Sequence, residues 1–213
     1  MLLEFAAAPK IGQPYKLQVG GVADASPAHN TMKPAALELE VRGPVFERAE
    51  ITKEQLGSEV KDVAGLPVKA GDSWTINFSV RTDKQPEDRT VIAGFGRCEQ
   101  TEDGAARYLV KFQRGIQFWA HNRDVAGRVQ LDLGRWQMLS ATYDGIRLRL
   151  YRDGKQLAER EISLIDDDNV VHFAPPDPWD HQRRFEGELR GFTIWAEALG
   201  EDALRSLLAN APR

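Results

Sequence analysis

The chain has 213 residues, 42% hydrophobic and 28% charged, which suffices for one sizeable core and favours a single domain over residues 1–213. Its formal net charge of −4 gives no overall attraction to nucleic acid, and no apolar run approaches the roughly 18–20 residues that span a bilayer, so neither nucleic acid nor a membrane span is expected. The one cysteine, Cys98, excludes an internal disulfide and any cysteine-based zinc site.

The first residues form a poor signal peptide. Residues 1–9 lack a cationic start, and Glu4 interrupts their apolar run. The sequence itself therefore gives no recognisable export signal.

Alternation of apolar and polar residues dominates the chain and predicts strands. In the run Trp74–Arg81 every second side chain is apolar, which is typical of a half-buried strand. The same pattern, with the apolar side chains expected to face a core, recurs at Leu37/Leu39/Val41, Tyr108/Val110/Phe112, Ile116/Phe118, Val129/Leu131/Leu133, Leu139/Ala141/Tyr143, Ile146/Leu148/Leu150 and Phe192/Ile194.

Tight turns separate these predicted strands. Asp144-Gly145 and Asp153-Gly154 lie between alternating runs, and such Asp-Gly pairs favour hairpins because both residues tolerate positive φ. Many short strands joined in this way predict an all-β, antiparallel two-sheet sandwich.

Helical patterns are few. Residues 201–210 form a short amphipathic segment, and residues 52–56 form a second short turn with Thr52 as its N-cap. Two stretches lack periodicity, residues 26–34 and 166–186. The second is long for a loop in a compact domain, which makes it a functional candidate.

Three segments resemble a known family. Residues 136–145 (WQMLSATYDG) followed by 149–154 (RLYRDG) resemble the central hairpin of laminin-G-like domains, and residues 185–199 resemble that family's closing strand and the short helix after it. Residues 24–30 (DASPAHN) resemble a degraded form of a segment found near the start of bacterial members. Laminin-G-like domains belong to the concanavalin A-like lectin/glucanase superfamily.

The resemblance covers about residues 19–209 and implies a jelly-roll sandwich with one or two short helical turns. It also implies an exported bacterial protein, extracellular or periplasmic, of a lectin-like kind. Within this fold Trp136 and Tyr143 are expected to anchor one strand in the core. The fold does not fix the function.

A catalytic carboxylate motif is not found. Enzymes of the superfamily that cut glycosidic bonds carry paired carboxylates on one strand face, and a separation of about 5–5.5 Å permits retaining hydrolysis. The nearest pairs are most simply explained as solvated strand faces, with Glu186/Glu188 the hardest to dismiss. A divergent glycoside hydrolase or polysaccharide lyase using Glu186, Glu188 or His181 stays open as an alternative.

Calcium is the cofactor that the resemblance implies, bound at the rim of the sandwich by carboxylates and carbonyls. Asp24 and Asn30 are the candidate ligands in this sequence. The family often supplies an aspartate three residues after a closing-strand glycine, and here that position is Arg190, whose charge would repel the ion. The acidic run 166–169 is a second candidate.

Trp119 is the strongest candidate for ligand binding. It falls on the polar face of the strand at residues 116–121, together with Gln117 and His121. Sugars stack their C–H faces on aromatic rings and bond their hydroxyls to flanking polar groups. Such polar groups follow directly, at Asn122, Arg123 and Asp124.

A second tryptophan, Trp179, lies in the proline-stiffened stretch 175–184 with Asp180 and His181 beside it. Stiffening reduces the entropy lost on binding. Taken with Trp119, it predicts a non-catalytic binding module for a glycan or polysaccharide. The main alternative is a structural or protein-interaction module whose partner is another polypeptide.

Overall fold

The computed structural model describes residues 14–20, 28, 30–31, 33, 35–40, 42–99 and 102–210. The chain divides into two compact units, residues 1–43 and 44–213. In the first, β1 (Pro14–Val19) pairs antiparallel with β2 (Ala35–Glu40). The expectation of one domain over the whole chain stays a prediction.

The second unit holds twelve strands and one α-helix among its described residues. They are β3 (Phe46–Ile51), β4 (Glu59–Lys61), β5 (Trp74–Arg81), β6 (Thr90–Phe95), β7 (Arg107–Phe112), β8 (Gly115–Trp119), β9 (Val125–Ala126), β10 (Gln137–Tyr143), β11 (Arg147–Arg152), β12 (Lys155–Glu161), β13 (Val170–Phe173), β14 (Glu188–Trp195) and α1 (Glu201–Asn210). A 3-10 turn at Lys53–Gln55 follows the predicted cap Thr52.

Two six-stranded antiparallel sheets form the second unit. Sheet I has the order β12-β11-β10-β5-β14-β3, and sheet II has the order β4-β13-β6-β7-β8-β9. The predicted β-sandwich is therefore confirmed. Within the described part of the chain, no helix is long and apolar enough to cross a membrane.

The predicted hairpins are confirmed as well. β10 pairs with β11 from Leu139↔Arg152 to Tyr143↔Leu148, and the tight turn between β11 and β12 has positive φ at Asp153 (51°) and Gly154 (70°). In β14, Gly191 has a φ of 60° where the register with β5 shifts, which is typical of a β-bulge.

The main core lies between the sheets and is rich in aromatic rings. Trp74 of sheet I packs within 5.6 Å of Phe95 and 5.5 Å of Phe118 of sheet II, and Tyr143 is 5.8 Å away, all measured between ring centroids. Tyr143 is thus a core anchor, as expected. Trp136 is not, because it lies outside the core with the guanidinium of Arg190 3.8 Å from its ring centroid.

Strand β7 presents the opposite face from the one that we expect from the sequence. Leu109 belongs to the main core, whereas Tyr108 and Val110 belong to a second apolar cluster. The inner face also takes Arg107, which is fully buried because its guanidinium is paired with the buried carboxylate of Asp167 at 2.8 Å. The more apolar of two alternating sets therefore faces outward.

Two further expectations are wrong. The predicted strand at Val129/Leu131/Leu133 is irregular, because Arg128 has a φ of 55° and ends the extended conformation after β9. The stretch 166–186 contains β13, which pairs with β4 and β6.

Candidate functional site

A second apolar cluster lies on the outer face of sheet II. Tyr108, Val110 and Trp119 form it together with Val91, and Tyr108 lies opposite Trp119 in the β7–β8 register, with ring centroids 5.8 Å apart. Gly94 of β6 lies opposite Tyr108 of β7, and a Cβ at position 94 would come within 2.7 Å of the Tyr108 ring. An apolar outer face of this size requires a cover.

Residues 174–187, which we name the cover loop, provide part of that cover. The side chain of Asp177 is fully buried at its base and accepts hydrogen bonds from the backbone N–H of Trp179 (2.7 Å) and of Asp180 (3.2 Å). Its second oxygen accepts from a guanidinium nitrogen of Arg183 at 2.9 Å. These bonds fix the backbone that carries Trp179.

Trp179 packs against the cluster edge-on and keeps one part of its ring in solvent. Its ring centroid lies 5.3 Å from that of Trp119 and 6.1 Å from that of His121. The guanidinium carbon of Arg89 lies 5.7 Å from the same ring. Trp179 is 43% exposed and Trp119 only 5% exposed, so Trp179 supplies the accessible ring and Trp119 the floor beneath it.

These rings border a cavity of about 220 Å³, which we name the aromatic pocket. Its lining combines apolar strand residues of β6–β8 with polar residues at its rim. The lining residues are Arg89, Val91, Val110, Phe112, Gln117, Trp119, His121, Asn122, Asp124 and Trp179.

The polar groups of the aromatic pocket are set in fixed positions. Gln117 is only 7% exposed and lines the pocket from β8. The side-chain amide of Asn122 donates a hydrogen bond to a carboxylate oxygen of Asp103 at 2.8 Å, which holds that amide in place. Burial raises the pKa of Asp124, whose carboxylate accepts the backbone N–H of Ala120 at 3.0 Å and thereby offsets part of that shift.

Three of the nine described non-glycine residues with positive φ line this pocket. Arg89, His121 and Asn122 have φ values of 67°, 40° and 67°, in the left-handed region that residues with a Cβ rarely adopt. Each such residue costs on the order of 1 kcal/mol and persists only where the surroundings enforce it, which is typical of ligand sites.

The structure brings four of the predicted ligand residues together: Trp119, His121, Asn122 and Trp179 all line the aromatic pocket. Arg123 instead lines a separate cavity beside Ile146. Asp180 lines a neighbouring polar pocket, and His181 is exposed on the cover loop without lining either pocket.

Four lining residues were not anticipated from the sequence: Arg89, Val91, Val110 and Phe112. Val110 and Phe112 were expected in the core, and Arg89 has no sequence pattern that sets it apart. Only the outward orientation of β7, together with the neighbouring Trp119, could have indicated them.

The calcium expectation finds no support in the described residues. Asp24 lies outside them, and Asn30 is described only as exposed. Arg190 stacks on Trp136, so the position where the family often has an acid holds a cation. No group of three or more His, Cys, Asp or Glu side chains that could hold a metal occurs among the described residues.

The acidic run 166–169 is a structural anchor. Asp167 is buried and accepts hydrogen bonds from Arg107 (2.8 Å), from Arg97 Nε (3.1 Å) and from the backbone N–H of Ala106 (2.7 Å). Its oxygens are already engaged by cations and amides, so they fit ion pairing and not calcium coordination.

Groups suited to catalysis are sparse near the aromatic pocket. Asp124 is the only carboxylate among the described residues that line it. Burial raises the pKa of the nearby Cys98 to about 12, which keeps the thiol protonated. Glu186 and Glu188 are exposed, and Glu188 lies 3.6 Å from the guanidinium of Arg81.

Residues 57–205 match the Laminin_G_3 family model of the concanavalin A-like lectin/glucanases superfamily, and the chain belongs to this superfamily. No curated protein matches the sequence.

Solved structures share the fold at low identity. Domain 4 of AbnA, a GH43 extracellular arabinanase from Geobacillus stearothermophilus solved with arabinotriose, aligns with TM-score 0.57 and 13% identity over 79% of this chain and 83% of that one. A protein of Bacteroides ovatus, provisionally assigned as carbohydrate-binding, aligns with TM-score 0.54 and 15% identity over 92% of this chain and 56% of that one.

The binding domain of botulinum neurotoxin DC is similar in the same way. In its complex with SialylT it aligns with TM-score 0.50 and 14% identity over 67% of this chain. This chain spans only 36% of that domain's length. The same domain has also been solved with rat synaptotagmin II.

Proposed function

We propose that this chain is a non-catalytic carbohydrate-binding module that holds a sugar in the aromatic pocket. The observation that carries the proposal is the half-exposed ring of Trp179, held edge-on against Trp119 beside the buried amide of Gln117. A rigid aromatic surface with adjacent polar groups matches the two faces of a sugar ring.

The pocket's chemistry supports a polyhydroxylated ligand. Trp179 offers its ring to the apolar C–H face of a sugar, while Gln117, Asn122 and Asp124 offer amide and carboxylate groups to its hydroxyls. At about 220 Å³ the pocket lies below the roughly 300–1,000 Å³ of sites for drug-sized ligands, so it suits one sugar ring.

The structural relatives support the same class of ligand. The arabinanase domain is solved with arabinotriose and the neurotoxin domain with SialylT. Identities of 13–14% support the shared sandwich, and the ligand assignment of this chain rests on its own pocket.

The carboxylates support binding without catalysis. Hydrolysis of a glycosidic bond requires an acid and a second carboxylate on opposite sides of the bond. Asp124 lies alone among the described lining residues, and the exposed Glu186 and Glu188 lie outside the aromatic pocket.

We also propose that the protein acts outside the cytoplasm, where polysaccharides are met. The support is the arabinanase relative, which is extracellular. Fractionation of the native cell with an antibody to this chain should place it in the periplasm or medium, and a purely cytoplasmic signal would contradict the proposal.

The site is tested by calorimetry against a panel of neutral and sialylated oligosaccharides that includes arabinotriose. We expect binding that weakens about tenfold or more in Trp179→Ala, because stacking and ring burial are lost. The matched control is Leu133→Ala, which removes another exposed apolar side chain, 51% exposed, away from the pocket. Unchanged affinity in Trp179→Ala would contradict the proposed site.

A protein partner is the second candidate, favoured by the complex of the neurotoxin domain with rat synaptotagmin II. If no glycan of the panel binds, a glycan ligand of the classes tested is excluded. Capture of a defined polypeptide that Trp179→Ala releases would then establish the alternative.

A further inference from the structure

Three cavities adjoin one another along the outer edge of sheet II and the cover loop. Arg89 lines both the aromatic pocket and a second cavity of about 430 Å³, which we name the central cavity. Glu87 and Arg183 line both the central cavity and a third one of about 270 Å³, the polar pocket. Because neighbouring cavities share these lining residues, the three lie side by side, and we name this row of cavities the groove.

Resting on the proposed function, we propose that this groove binds an uncharged linear oligosaccharide of several units, with one unit on Trp179 and the next units running past Arg89 and Arg183 into the polar pocket. The central cavity and the polar pocket each exceed the aromatic pocket in volume. Each therefore has room for a further sugar unit.

The lining that the central cavity and the polar pocket share is held in place by ion pairs. Arg183 is held by the buried Asp177 at 2.9 Å and lies 3.6 Å from Glu87. Asp88, which also lines the central cavity, accepts the backbone N–H of Gln113 and lies 3.4 Å from the ammonium of Lys111. Fixed polar walls lose little entropy when a chain binds.

Charge along the groove favours a neutral chain. Cationic and anionic side chains alternate without an excess of positive charge, and several are already paired with each other, as in Arg183–Asp180 at 3.3 Å. A polyuronate or sulfated chain would need an excess of cations to offset its own charge. The other polar side chains of the polar pocket can form hydrogen bonds with the hydroxyl groups of a sugar. They include Lys84, Gln85, Gln182, Arg184 and Glu186.

The polar pocket differs from the aromatic pocket because its lining residues include no tryptophan and are mostly polar. Pro86 is the most apolar residue of the polar pocket. Added sugar units should therefore contribute through hydrogen bonds, which are individually weak and become stronger where a charged group takes part.

The test compares chain lengths by calorimetry on the full chain, with arabinose, arabinotriose and arabinohexaose and with the cello-oligosaccharides of the same lengths. We expect the hexaose of the series that binds to be at least about tenfold tighter than its monosaccharide. In the double variant Lys84→Ala/Gln182→Ala, which changes two exposed side chains of the polar pocket, this gain should fall to threefold or less. Lys155→Ala, an exposed lysine on sheet I, is the matched control and should keep the full gain.

The outcomes separate the two proposals. Equal affinity for monosaccharide and hexaose, still lost in Trp179→Ala, would overturn the groove and leave the pocket intact. Tighter binding of hexagalacturonate than of the neutral hexaoses would overturn the neutral-chain assignment. Absence of binding by every length in both neutral series would overturn the groove, while binding of another glycan of the panel would still support the pocket.

Discussion

Both sheets carry aromatic residues on their outer faces, outside the main core, but these residues are covered in different ways on the two sheets. On sheet I, Tyr151 and Met138 are buried under Leu204 of α1, and Trp136 lies beneath the guanidinium of Arg190. Leu204 packs directly against Met138 and Tyr151. Helix α1, which carries Leu204, follows the closing strand β14 after a short connection.

On sheet II the outer aromatic residues are covered by a loop that itself contributes a tryptophan. Tyr108 and Trp119 lie beneath the cover loop, whose Trp179 stays 43% exposed above a cavity of about 220 Å³. An outward-facing tryptophan therefore does not by itself indicate a ligand-binding site. What distinguishes sheet II is an incomplete cover held in place by buried polar anchors.

Removing the cover of sheet I should have the largest effect on stability and none on binding. Leu204 is fully buried, so Leu204→Ala should lower the free energy of unfolding by about 3 kcal/mol, through lost transfer energy and a cavity beneath α1. Urea unfolding measures this, with Leu133→Ala as the exposed control. A shift in glycan affinity in the folded variant would contradict the separation of the two faces.

Removing the anchor of the cover loop should affect both stability and binding. Asp177→Ala deletes the acceptor of two backbone N–H groups and of Arg183, so we expect a loss of about 2 kcal/mol and weaker glycan binding. Asp180→Ala, an exposed partner of the same Arg183, should change stability by less than about 1 kcal/mol. Equal effects of the two variants in urea unfolding would argue against a preorganised loop.

Uncovering Trp136 should have a smaller effect. Arg190→Ala removes a cation–π contact at 3.8 Å and should lower the free energy of unfolding by about 0.5–1 kcal/mol. Glycan affinity should not change, since the new exposed ring lies on sheet I. A gain in sugar binding would show that any bared tryptophan of this sandwich suffices.

The smallest effect concerns pH. Burial lowers the pKa of His172, which lies 5.9 Å from Tyr108 between ring centroids and opposite Glu59 of β4. The unfolded chain thus binds a proton more readily, and stability present above the ordinary histidine pKa of 6.5 is lost as the pH falls toward the lower folded value. His172→Asn should flatten this dependence, by at most about 1.4 kcal/mol per pH unit, in urea unfolding between pH 7.5 and 5.5. The same pH dependence in His172→Asn as in the unchanged protein would contradict this assignment.

Sequence pattern predicts the elements whose two faces differ in polarity, even where, as in β5, the polar side chains Thr75, Asn77 and Ser79 are buried as well and the strand is not half-buried as expected. β5 covers the whole run Trp74–Arg81, and α1 runs over the predicted residues 201–210. In these elements the core-facing residues recur with the period of the structure, so alternation or amphipathicity suffices. Asp153-Gly154 likewise adopts the positive φ values that its turn requires.

The pattern fails where the outer face of a strand is apolar as well as buried. β6 is buried along its whole length, between the main core and the cluster around Tyr108, so no alternation marks it. β7 is misassigned for the same reason, since its outer face is more apolar than its inner face. The aromatic pocket lies over these two strands, and the sequence indicated it through Trp119 on β8, with the polar residues beside it, and through Trp179 on the cover loop.

The most direct test of the account follows the indole N–H resonances of the five tryptophans during titration with a glycan that binds. We predict that the Trp179 and Trp119 signals shift together with a single dissociation constant, while those of Trp74, Trp136 and Trp195 stay in place. Shifts confined to Trp136 and Trp195 would place the ligand on sheet I and contradict the account.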